Sequence, residues 1–364
     1  MEQATVTQPS SAAEKVIGQP TEYYPPSLID RFLAAVDRLP APYWVTFLVL
    51  FVLEVAILHV IAWLTGSMPP LNFEPVLMIF PIYFWFPLAV IRYLNGFARQ
   101  IVRSFCALLD GEQGITDRLE YEFTVMPVLP VVINGLLWFV LYLILWVVYY
   151  QAVLAIWSYQ PIMFAVIIIV GLFSFVFGSA IYYHAIRQLR LVNRSLELVK
   201  TLNMFQLDPI YAFSRLTARI GISWLILLSA MMLIMSLRLT GPLIFGLYGI
   251  QAVMALAAFM LPLWNIHTRL ENEKHTLEAA ANQRLKQILQ RFHSRLEGED
   301  LASMGEFKDA LEAISTEQQM LAKIHTWPWR GETLRVFISA LLLPVVLILV
   351  QLGLEFWFGR FSGP

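Results

Sequence analysis

Seven stretches of this chain are almost purely apolar and close to the length of about 20 residues that a helix needs to cross a bilayer. They run from Tyr43 to Leu64, Leu71 to Ile91, Val128 to Tyr150, Ile162 to Tyr182, Ile220 to Leu237, Leu243 to Trp264 and Val336 to Leu354. Hydrophobic residues make up 58% of the 364 and charged ones 14%, too few polar side chains to cover a soluble globule. The expected fold class is therefore all-α: a polytopic membrane protein of seven transmembrane helices. Prolines interrupt two of the runs, Pro75, Pro81 and Pro87 in the second and Pro344 in the last. A membrane helix tolerates them where neighbours satisfy the freed carbonyls.

The basic residues set the orientation. With the N-terminus inside, only Arg238 and Arg360 of the 25 Lys and Arg fall outside and 23 fall inside, the bias of the positive-inside rule. This predicts N-terminus in, seven crossings, C-terminus out, in a plasma (inner) membrane. The outer connections are then short, and the inner ones carry the folded mass.

No signal peptide is expected, because the first apolar run begins late. Residues 1–26, rich in Ser, Thr, Gln and Pro, read as a disordered tail. Residues 27–42 open with Ser27 and Asp30 at capping-box spacing and place Leu28, Ile29, Phe32, Leu33 and Val36 on one side, an amphipathic helix expected on the membrane surface. Residues 43–264 hold six spans with cytoplasmic helical extensions at 92–127 and 183–219. Asp208-Pro209 supplies a helix start that leads into the fifth span.

Residues 265–330 are expected to form a cytoplasmic antiparallel helix pair of coiled-coil character. Its first helix, Asn265 to Leu296, carries an apolar stripe through Ile266, Leu270, Leu277, Ala281, Leu285, Leu289 and Phe292 on a charged rod. Gly298 ends it, and Ser303 with Glu306 caps the return. The return reaches the membrane at Trp327-Pro328-Trp329-Arg330, read as an interfacial elbow: proline breaks the helix, the indoles suit headgroups and Arg330 holds the inner side. It serves as an anchor or as a hinge. Residues 331–364 are the last span and a short outer tail.

Signatures of chemistry are missing. There is no phosphate-binding loop, no HExxH, no GxSxG and, with Cys106 alone, no paired-cysteine site. Neither an enzyme nor a cofactor is expected. Glu271 and His275 have metal-ligand spacing on a charged helix whose ordinary reading is a solvated face. The acidic turn from Asp110 through Glu122 lacks EF-hand spacing. The inner basic residues follow from topology, so no nucleic acid is expected, and no internal repeat marks a two-halved transporter.

The polar residues inside apolar runs are the candidate sites. Glu54 sits midway along the first run, where a charge is costly and a function is the default hypothesis, and Gln251 at similar depth in the sixth is its candidate partner. His59 lies about 140° round the helix from Glu54, which argues against a relay between them. Gly171, Ser174 and Gly178 form a small-residue face suited to close helix packing. On the last run Thr333, Ala340, Pro344, Leu347, Gln351 and Glu355 fall along one line. That line is either packed within the protomer or a pore face, with Leu347 and Gln351 at gate and mouth.

The layout of seven spans, inner N-terminus, long inner helices, a broken last helix and almost no outer tail resembles that of the insect odorant and gustatory receptor channels. The resemblance is one of layout and carries no residue assignments. It implies an oligomeric channel or channel-like receptor, a homo-oligomer in the lipid bilayer with the last helix at the pore. The alternative is a non-conducting scaffold or signalling protein whose cytoplasmic pair binds a protein partner.

Overall fold

The computed structural model describes residues 23–106, 113–156, 160–197, 207–235, 242–297 and 304–361. These residues form eleven α-helices and a 3-10 turn, with an isolated bridge between Pro26 and Pro127 as the one extended pairing among them. The helices are α1 (Leu28–Val36), α2 (Tyr43–Leu64), α3 (Ile79–Cys106), α4 (Gln113–Thr124), α5 (Val128–Ile156), α6 (Pro161–Gly178), α7 (Ala180–Glu197), α8 (Asp208–Met235), α9 (Pro242–Glu297), α10 (Met304–Lys323) and α11 (Gly331–Phe361).

Six segments among the described residues are long and apolar enough to cross a membrane: Tyr43–Leu64, Pro75–Cys106, Val128–Val148, Pro161–Leu196, Ile210–Ile234 and Gly249–Ser294. They point to a multi-pass membrane protein. The seventh expected run lies in α11, 31 residues long, about 46 Å at a rise of 1.5 Å per residue.

The bundle is organised around α8. Phe213, Leu216, Ile220 and Leu225 on it are fully buried, and α3, α9 and α11 all pack against it. Its hydroxyl groups bond within the helix. Thr217 donates to the Ser214 carbonyl (3.0 Å), Ser223 to that of Arg219 (2.8 Å) and Ser229 to that of Leu225 (2.7 Å). Polar side chains thus enter an apolar interior with their hydrogen bonds made locally.

The small-residue face on α6 does what its composition suggests. Gly171, Ser174 and Gly178 are buried. A Cβ on Gly178 would overlap the Tyr83 carbonyl oxygen of α3, and one on Gly171 would lie 2.5 Å from the Tyr142 hydroxyl of α5. The absent side chains let α6 meet two neighbours at close range.

The sixth apolar run and the charged rod form one continuous helix. α9 has 56 residues and spans about 84 Å, with Pro262 inside it. Its distal half pairs with α10. Phe292 meets Phe307 (ring centroids 5.7 Å apart), Arg284 pairs with Glu317 (2.9 Å), Gln318 donates to Asn282 (2.8 Å), and Lys274 donates to the Ile324 carbonyl (2.9 Å). The partners run in opposite senses along the two helices, so the pair is antiparallel. Leu270 and Ala281 are fully buried, while Leu289 farther out is 37% exposed. The proposed turn and cap at Gly298 and Ser303 lie outside the described residues, as do residues 1–22 of the tail and the Asp110-Gly111 stop.

The amino-terminal segment departs from expectation. The fold already holds Tyr23 to Pro26: the Tyr24 hydroxyl donates to the Val125 carbonyl (2.8 Å), and Tyr23 packs on Tyr121 (4.6 Å). α1 has the expected capping box at Ser27 and Asp30. It buries Ile29, Leu33 and Val36 in the core of the bundle, and Phe32 meets Phe47 of α2 and Trp85 of α3. Ile29, Leu33 and Val36 of the face meant for lipid are taken by protein while Leu28 stays 66% exposed, because the α4–α5 junction supplies a docking edge that a linear reading does not show.

Candidate functional site

α10 ends at Lys323, and residues 324–330 are not helical. Pro328 has no N–H to offer a helix and disfavours helical geometry at Trp327. Lys274 reaches across from α9 to the carbonyls of Ala322 (3.4 Å), in the last turn of α10, and of Ile324 just beyond it.

The elbow is a stack of rings. The His267 imidazole of α9 lies on Trp327 (centroids 3.8 Å, planes 6° apart) and Trp327 on Trp329 (4.3 Å, 24°). Trp329 meets Phe259 of α9 (5.3 Å), and Phe259 stacks on Phe337 of α11 (4.2 Å, 19°). Trp264 meets Trp327 edge-on at 5.8 Å. His267 Nδ1 is 3.2 Å from the Thr326 carbonyl, so that nitrogen carries the proton and donates. Six rings from α9, the elbow and α11 thus make a continuous contact.

Trp327 and Trp329 are half-buried and Pro328 is buried. The indoles face protein more than an open headgroup layer. Arg330 pairs with Asp208 at the start of α8 and lies over the Tyr211 ring (5.5 Å). The four elbow residues therefore fasten the α10–α11 connection to both α8 and α9.

The described side chains of the line on α11, from Thr333 to Leu347, face inward. Phe337 and Pro344 are buried, and Ala340 and Leu347 are half-buried on the side where α11 packs against α8. The opposite side is aliphatic and open, with Leu342 52% and Val346 50% exposed. The side chain of Gln351 lies outside the described residues.

Glu54 accepts a hydrogen bond from the Trp85 indole of α3. Gln251 is placed elsewhere: with Tyr182, Trp224, Leu227 and Met254 it lines a small cavity of about 10 Å³ between α7, α8 and α9. The expected Glu54–Gln251 partnership is therefore replaced by Glu54–Trp85. Nor does His59 join Glu54. Its Nδ1 bonds the Val55 carbonyl (2.8 Å), its Nε2 accepts from the Glu74 amide (3.2 Å), and its ring stacks on Phe73 (4.7 Å). One nitrogen donates and the other accepts. On the rod, Glu271 lies beside His267 (3.7 Å) and His275 beside Glu278 (3.5 Å), so the spaced pair Glu271 and His275 turns to separate partners.

A polar belt around the α4–α5 junction escaped sequence inspection. Gln188 donates to the Phe123 carbonyl (3.0 Å), Asn95 to that of Thr124 (2.9 Å), and Arg187 and Tyr24 both to that of Val125. Asp30 accepts from the Met126 amide (2.9 Å), and Met126 accepts from the Ser27 amide (3.1 Å). Side chains from three distant segments satisfy the backbone groups left bare where α4 ends. Burial pushes the Tyr24 hydroxyl up to about 12 despite the opposing Arg187 guanidinium. Burial also raises Asp30, against the hydrogen bonds from Ser27 and Met126. Each belt residue looks ordinary in sequence.

No family model, no curated protein and no solved structure matches this chain.

Proposed function

We propose that this chain is a non-conducting membrane scaffold or signalling protein, with a cytoplasmic α9–α10 pair that presents a surface to a protein partner. Seven spans in a plasma (inner) membrane with the N-terminus inside agree with the 23-to-2 charge split. The observation that carries the reading is the ring stack from His267 through Trp327, Trp329 and Phe259 to Phe337. It makes the junction between the projecting pair and the bundle a packed joint, suited to holding a docking rod at a fixed angle.

The channel reading needs Ala340, Pro344 and Leu347 to line a path shared between copies. Within the protomer that side of α11 is taken by α8, so the packing lends support to the scaffold. The test combines a distance measurement with a flux assay. Cys106 is buried, so spin labels go to cysteines introduced at exposed Gln290 and Leu342. A narrow distance distribution is expected in the intact protein and a broad one in Trp327→Ala, with no ion flux from liposomes above empty controls. Flux above controls, or a broad distribution in the intact protein, overturns the proposal.

A further inference from the structure

A cleft of about 350 Å³ opens between α7, α8 and α9. It is within the range of about 300–1,000 Å³ in which ligand sites occur. Its walls are apolar: Ile186 and Leu189 from α7, Trp224 from α8, Ala257 and Leu261 from α9. At one end stand Arg190 and Asn193. Trp224 and Met254 line both this cleft and the smaller cavity behind it. Trp224 is 6% exposed, and its indole N–H has no hydrogen-bond partner among the described residues.

Position and charge together narrow the occupant. The cleft lies along the last turns of the apolar part of α9, just before Trp264, and its lips, Ile186 and Leu261, are exposed. Leu261 is 67% exposed on the face that hydrocarbon would cover, so the opening is sideways into the bilayer. No lining residue is acidic. Arg190 is exposed and makes no ion pair with a described carboxylate, whereas its neighbour Arg187 is committed to Val125 and Tyr24. An apolar groove facing lipid, with a free guanidinium at the level where the apolar run ends, has the complementarity of one amphiphile. Its chain is hydrocarbon and its head is anionic.

We infer that this cleft binds an anionic phospholipid of the inner leaflet, with an acyl chain along Trp224, Ala257 and Leu261 and the phosphate at Arg190. Asn193 is placed to donate to the same headgroup while it accepts from Asn265 (3.4 Å). The guanidinium offers paired N–H donors to phosphate oxygens, a geometry lysine cannot reproduce. The inference is independent of the scaffold reading, since either a scaffold or a channel could hold such a lipid.

Native mass spectrometry of the purified full chain tests this, with phosphatidylglycerol and phosphatidylcholine of identical chains supplied in equal amounts. One phosphatidylglycerol should be retained in preference. Arg190→Ala should weaken that retention about five-fold, the worth of one basic side chain near a charged lipid surface. Arg190→Lys should keep part of it. Ala257→Phe should abolish it by filling the groove, and Ala257 is only half-buried, so the bundle tolerates the larger ring. Millimolar glycerol phosphate separates a lipid site from a free phosphate site. A lipid anchored by its chain stays bound, and ready displacement by glycerol phosphate overturns the assignment. Equal retention of the two lipids, or unchanged retention in Arg190→Ala, overturns it as well.

Discussion

Replacing Gly221 by alanine should destabilise the joint, although the same change at Gly249 should not. A Cβ at Gly221 on α8 would lie 2.8 Å from Phe337 Cε2 and 2.9 Å from the Ala255 carbonyl oxygen. One obstacle is backbone and the other a ring stacked 4.2 Å from Phe259, so α8 must move from α9 and α11 by several tenths of an ångström. Overpacking of that kind costs about 1–3 kcal/mol. The helix propensity gained on leaving glycine is at most about 1 kcal/mol. It is smaller here, because membrane helices stay helical when their neighbours separate. The net loss is therefore about 1–2 kcal/mol. Gly249 on α9 has nothing within 4 Å of its added Cβ, so only the propensity term acts, a gain of about 0–1 kcal/mol. Reversible unfolding by SDS in mixed micelles, followed by tryptophan fluorescence, measures both. The reasoning fails if the two variants shift in the same direction or by the same amount.

The polar belt yields two further expectations, the buried His184 of α7 a third and topology a fourth. Tyr24 titrates near 12 when folded against 10.0 otherwise. The stability it contributes is thus present below pH 10 and lost as pH rises towards 12; the gap between wild type and Tyr24→Phe should narrow over that window, and a constant gap would contradict the linkage. Gln188→Leu strips the Phe123 carbonyl of its donor and should cost about 1–3 kcal/mol. His184→Leu should be neutral or stabilising in the same SDS titration, since neither buried ring nitrogen has a hydrogen-bond partner among the described residues. A reporter inserted beside Gly298 should be active only in a cytoplasmic form and one after Pro364 only in an exported form, and reversed activities would overturn the orientation.

Much of the architecture is legible in the order of residues. A helix in hydrocarbon must satisfy its own backbone, so the length of an apolar run alone sets where a span can form. This is why α2, α5 and α9 appear where their sequences place them, and why an apolar stripe joined to a return helix gives an antiparallel pair. Small residues at one helical spacing likewise announce a close approach, as Gly171, Ser174 and Gly178 do.

What the tertiary structure decided is which groups meet. Glu54 is visibly costly in an apolar run, but only the packing of α2 on α3 brings it Trp85 instead of Gln251. The amphipathic face of α1 could serve lipid or protein equally, and the edge formed by Ser27, Asp30 and Met126 settles it. The tryptophans of the elbow suit a headgroup layer by composition, but their stacking on His267 and Phe259 depends on residues some 60 positions away in sequence. Periodicity reports the solvent each helical face prefers. It carries no record of which neighbour will occupy that face, because a side chain that prefers an apolar surrounding is served as well by lipid as by another helix.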